Sequence, residues 1–206
     1  MARDENGLFA VSRDEILEKS VRAYDWVDAQ FPFLAVEDQP PKAVYFSRIL
    51  SRLDFSGIFC PYTGEANVNV DCPAVFLPTT AAHELAHLRG FSSEQECNFL
   101  GILAAVTTED AVYNYSGWLM GYVYLGNALY SADREAWQAV YSSLPETARA
   151  DLINNNRYWE QFEDTTVRKV SNTMYDGLLK GYGEEMGIRS YGTVVDMLVA
   201  YYKSVV

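Results

Sequence analysis

The sequence predicts a mainly α (α+β) fold, with a small β-hairpin or sheet edge just before a histidine-bearing helix. Three observations carry that reading. Apolar residues recur at helical spacing from Thr80 almost to the C-terminus. The run Glu65-Ala66-Asn67-Val68-Asn69-Val70 alternates polar and apolar residues, and no repeat, low-complexity tract or linker divides the chain. Residues 1–206 therefore read as one domain, with 1–11 expected to be a disordered end. At 49% hydrophobic and 14% aromatic residues the chain can bury a sizeable core, which excludes intrinsic disorder.

Taken in order, Ser12 and Glu15 fit a capping box, and Ile16, Leu17, Val21, Tyr24 and Val27 follow on one apolar face. A first helix of about 18 residues is expected. Phe31-Pro32 and Pro40-Pro41 interrupt regular structure around a short connector. Residues 42–54 fit strand or helix, because periodicity does not decide between them. The alternating run that follows has the period of a half-buried strand and reads as an edge hairpin. Helices are then expected from Thr80 to Leu88, Ser93 to about Val106, Asp110 to Tyr130 and Asp133 to Tyr141. Two more are expected, one after a Ser143-to-Glu146 capping box and one from about Tyr191 to Tyr202.

Composition narrows the function. A net charge of -12, from 28 Asp+Glu against 16 Lys+Arg, repels phosphate backbones and excludes nucleic acid as a partner. Cys60, Cys72 and Cys97 are too few for a disulfide scaffold or a four-thiolate zinc module, so metal chemistry must rest mostly on histidine and carboxylate. Cys60 and Cys72 flank the hairpin and suit a disulfide or free thiols equally. No positively charged leader followed by an apolar run opens the chain. The uncharged stretch 111–132 is long enough for a membrane span, but its tyrosines and asparagines would need partners in lipid, so it reads as a buried helix.

Both histidines lie in His83-Glu84-Leu85-Ala86-His87. Four residues apart on a helix, the two imidazoles share a face and can reach one ion. The spacing matches the HExxH zinc motif, in which the glutamate is general base toward a zinc-activated water. Zn2+ is thus the expected cofactor, with His83 and His87 as ligands and Glu84 catalytic. Small and apolar flanks suit a buried helix; Arg89 departs from that trend, and Gly90 stands where a helix end turns left-handed. A third histidine would suggest a metzincin, but that position is Ser93. Glu94 leads the remaining candidates: it opens a helix that Ser92 or Ser93 can cap, and it shares a face with Asn98, Gly101 and Ala105. Glu96, about 200° around the helix, competes. Cys97 reads as a small buried apolar residue.

The Glu94–Asn98 arrangement resembles the glutamate helix of gluzincin-like peptidases, which implies Glu94 as a ligand and Asn98 as the support of a ligand histidine. More broadly, SGIFCPYTGEANVNV, LPTTAAHELAHLRGFSSEQECNF, YNYSGW and GIRSYGTVV, spread over residues 42–200, resemble the bacterial domain of unknown function numbered 3810. Cys97 stands where that family is expected to carry Ala. The resemblance implies a helical zincin-like metallopeptidase fold. It also implies a bacterial protein anchored in a membrane by segments preceding this soluble, extracytoplasmic domain. A peptide or protein substrate is expected. Tyr115 and Tyr191, each beside Gly and Ser, are candidates for stabilising the oxyanion. The strand before the metal helix is expected to receive substrate as an added strand, with Asn67 and Asn69 lining the cleft. One alternative is a zinc-binding sensor or interaction module without turnover; another is a helical module whose Tyr-rich groove recognises a ligand, its metal structural and closed by a fourth ligand such as Cys97.

Overall fold

The computed structural model describes residues 1–163 and 191–205, and the fold is mainly helical with a small three-stranded mixed sheet. The strands are β1 (Lys42–Ala43), β2 (Gly57–Cys60) and β3 (Glu65–Val68). The helices are α1 (Arg13–Lys19), α2 (Asp25–Gln30), α3 (Ser47–Arg52), α4 (Leu77–Leu88) and α5 (Glu94–Thr107). They continue with α6 (Ala111–Ala132), α7 (Arg134–Ser143), α8 (Glu146–Glu160) and α9 (Tyr191–Val205).

Helix α4 carries both histidines and packs against the sheet as well as against α5 and α6. Leu77, Ala81, Ala82, Leu85 and Ala86 are all buried, the composition expected of a helix enclosed on several sides. Close approach depends on small residues. A Cβ added to Gly101 of α5 would stand 2.9 Å from the backbone nitrogen of His83, and one added to Gly117 of α6 would stand 2.8 Å from the Ala105 Cβ. Val194 and Leu198 of α9 close the far side by packing with Ile102.

Strand β3 is the central strand. It pairs antiparallel with β2, Gly57 opposite Val68 and Cys60 opposite Glu65, and parallel with β1, Lys42 opposite Asn67. The expected edge strand is therefore paired on both sides, and β2 and β1 are the edges. Ala66 and Val68 face the core with their β2 partners Phe59 and Gly57, whereas Asn67 faces the other way, as strand alternation requires.

Several local expectations change. The single first helix breaks into α1, a 3-10 turn at Ser20–Arg22, and α2. Neither serine capping box forms: Ser12 makes no side-chain cap bond, and Ser143 donates back to the Val140 carbonyl while Pro145 precedes α8. Asp110 and Asp133 are the side chains that cap, each accepting two backbone N–H groups. Residues 1–11 are ordered rather than disordered, because Arg3 pairs with Phe9 across a turn and its guanidinium binds Asp151. Cys60 and Cys72 are free thiols. Among the described residues, no helix is long and apolar enough to cross a membrane.

Candidate metal centre

Helix α4 presents His83 and His87 one turn apart. Gly90 then adopts φ +90°, and Gly90 and Phe91 donate their N–H groups to the carbonyls of His87 and Ala86. That left-handed turn reverses the chain, so Glu94, the first residue of α5, meets both imidazoles. Its Oε2 lies 3.2 Å from His83 Nε2 and its Oε1 3.7 Å from His87 Nε2. One donor atom from each of the three residues lies within 4.8 Å of the others. The opposite ring nitrogens are already engaged: His83 Nδ1 with Asn98 Oδ1 at 3.0 Å, His87 Nδ1 with the Phe91 carbonyl at 2.8 Å. A carbonyl can only accept, so His87 carries its proton on Nδ1 and turns the lone pair of Nε2 toward Glu94. The ring of Phe59 stacks on His87, with centroids 5.8 Å apart.

Glu84 is buried, and its Oε2 has no hydrogen-bond partner among the described residues. Burial pushes its carboxyl up to about 7, the Glu94 charge adding to the effect and His83 opposing it. Burial also lowers His87, helped by the charge of His83. Burial pulls His83 down too, but the bond to Glu94 and the charges of Glu84 and Glu94 outweigh it, leaving His83 above its ordinary value. Two imidazole Nε2 atoms and a carboxylate, with a second carboxylate beside them, form a donor set and a charge that suit a divalent cation such as zinc.

The model of the family described as "Protein of unknown function (DUF3810)" matches residues 2–199. The chain belongs to that family. The match starts well before the motif-bearing segments at 42–200, so α1 and α2 are also part of the DUF3810 unit. No curated protein and no solved structure matches the chain. The family description assigns no activity, and the reading of function rests on the site.

Other sequence-predicted residues separate clearly in this DUF3810 domain. Glu94, not Glu96, joins the histidines; Glu96 is exposed. Cys97 lies on the Nδ1 side of His87, its sulfur 3.3 Å from that nitrogen and 3.5 Å from the Phe91 carbonyl, so it packs behind that imidazole, away from Glu94. Asn67 bonds its own strand at the Glu65 carbonyl, on the sheet face away from α4. Asn69 is buried and braces a loop, donating to Ser51 Oγ and the Phe55 carbonyl and accepting from the Asp71 N–H. Both amides are thus engaged within the sheet and its adjoining loop. Tyr115 is engaged elsewhere: its hydroxyl donates to Asp151 at 2.6 Å and its ring stacks on Phe9. Burial and the bond to Asp151 push that phenol up to about 12. Tyr191 opens α9, and its side chain lies outside the described residues.

Sequence reasoning missed two supports. Arg89, whose side chain is fully buried, donates to both carboxylate oxygens of Asp28 and of Asp38 and to the Leu85 carbonyl, and lies 3.7 Å over the ring of Tyr24. It ties the C-terminal end of α4, where a cation is favoured, to the N-terminal segment. Its signal was a single cation among the small and apolar residues that flank the histidine motif. The second support is β2, which lies against Glu84 and His87.

Proposed function

We propose that the chain is a zinc-dependent metallopeptidase, with His83, His87 and Glu94 as ligands and Glu84 as general base. The observation that carries this reading is a buried carboxylate with an unpartnered oxygen beside a convergent His-His-Glu donor set. A structural zinc site is closed by four protein ligands, whereas three donors among the described residues leave a position for a reactant. When bound, the ion supplies Lewis acidity to a water and to a substrate carbonyl.

The rest is the work of the chain's own groups. Asn98 and the Phe91 carbonyl hold the imidazoles in register. Glu84, held by its packing against β2 beside the donor set, would take the proton of the attacking water and return it to the leaving amine. An extended substrate backbone would add to the edge of β2, which runs beside α4; β3 has both edges paired. Anchoring of the full-length bacterial protein in a membrane, with this domain outside the cytoplasm, belongs to the same proposal and rests on the family resemblance.

The test combines elemental analysis with a proteome-derived peptide library, comparing wild type and Glu84→Gln, both zinc-loaded near neutral pH. One equivalent of zinc in both proteins with cleavage by wild type only is the expected result. If wild type cleaves nothing, or the variant cleaves equally well, the peptidase reading fails and a zinc-binding sensor or interaction module replaces it.

A further inference from the structure

Gly57 is the first residue of β2, a place where glycine is disfavoured because it packs no side chain and loses more backbone entropy than other residues. Its backbone does not require glycine, since the positive-φ glycines among the described residues are Gly7, Gly64 and Gly90. The reason lies across the interface with α4. An ideal Cβ on residue 57 would stand 2.3 Å from Glu84 Oε1, 2.8 Å from its Cδ and 2.9 Å from its Cγ. The Glu84 side chain thus occupies the volume that a side chain at position 57 would fill, as when a glycine in a strand marks a close approach. The strand cannot easily retreat: Gly57 pairs with Val68, which is fully buried in the core. On the same face of β2, Phe59 stacks on His87, so one short strand touches two residues of the histidine motif.

We propose that Gly57 is a positioning residue for the Glu84 carboxylate: its missing side chain is the slot in which the carboxylate lies. Oε2 of Glu84 has no hydrogen bond among the described residues, so packing against β2 sets where the carboxylate points. Any Cβ at position 57 displaces it while leaving His83, His87 and Glu94 in place. The catalytic consequence rests on the peptidase reading, but the positional claim does not.

The experiment is a double-mutant cycle read by thermal unfolding, with Gly57→Ala made in the wild-type and Glu84→Ala backgrounds. Gly57→Ala is expected to lower the midpoint by several degrees in wild type, and to leave it unchanged or raise it in Glu84→Ala, where the new methyl fills vacated space. Both Gly57→Ala proteins should bind one equivalent of zinc. On any peptide that wild type cleaves, Gly57→Ala should lower kcat on the order of 100-fold with KM within a few-fold, the cost of misplacing a catalytic group. An equal loss of midpoint in both backgrounds, or an unaltered kcat, overturns the proposal. Should Gly57→Ala fail to fold alone, a folded double variant supports the slot and an unfolded one refutes it. If wild type cleaves nothing, the peptidase reading fails and the unfolding cycle still decides the role of Gly57.

Discussion

Two carboxylates are buried almost equally in this molecule, Glu84 at 3% exposure and Asp151 at 1%, in opposite surroundings. Asp151 accepts the Phe9 N–H at 2.8 Å, the Arg3 guanidinium at 2.6 Å and the Tyr115 hydroxyl at 2.6 Å. It fastens the N-terminal turn and α6 to α8. Glu84 keeps an oxygen with no partner among the described residues, beside two imidazoles and Glu94. A buried carboxylate met by three donors holds a fold together, while one with an oxygen left unmet costs stability.

The contrast can be broken in several ways, and the largest effect is on the metal. His83→Ala or His87→Ala should abolish stoichiometric zinc by elemental analysis, and Glu94→Gln should weaken it far more than Glu96→Gln; unchanged metal in both histidine variants would end the zinc reading. Glu84→Gln should lower turnover by roughly 10²- to 10⁴-fold while keeping zinc, whereas Leu85→Met, a volume-conserving swap, should stay within a few-fold. The metal-free protein sharpens this further. Glu84 is raised from the ordinary carboxylate value to about 7, so the native state binds more protons than the unfolded chain between those values. Stability should therefore fall as pH rises through that window, and chemical denaturation of Glu84→Gln should show a flatter profile.

Asp151→Ala should cost about 1 to 3 kcal/mol in denaturant unfolding, because the Phe9 N–H and the Tyr115 hydroxyl lose their acceptor, yet leave zinc content untouched. Loss of zinc in that variant would erase the distinction between the two carboxylates. Asn98→Ala should weaken zinc affinity by about 10- to 100-fold in a competition titration, as expected for a group that orients a ligand. Tyr115→Phe is the smallest change, about 1 kcal/mol of stability with unaltered turnover, since Asp151 keeps two other donors. A collapse of turnover there would restore Tyr115 to the active site.

The helices α4 to α7 were legible because their signals are local: apolar spacing, aspartates at two N-termini, and Gly90 at a helix end. The break between α1 and α2 was not. Tyr24 sits at that break, donates its hydroxyl to the Ala82 carbonyl and supports Arg89 with its ring, both of them distant partners. The central place of β3 was hidden for a similar reason, since its second neighbour is the two-residue β1, too short for a period to show.

What the sequence alone determined is the pairing of the two histidines and the turn that returns a carboxylate-bearing helix to them; the choice of Glu94 over Glu96 waited on the tertiary structure. The i, i+4 spacing aligns His83 with His87, a left-handed glycine turns the chain, and Glu94 with Asn98 returns on the next helix; each step is set by backbone geometry over neighbouring residues. Tertiary structure alone decided that Gly57 lies against Glu84, that Asn67 faces away from α4, and that Asn69 and Tyr115 serve as fasteners. Those outcomes depend on which distant segment supplies the partner, and an asparagine or tyrosine in the same local pattern suits a cleft or a core equally.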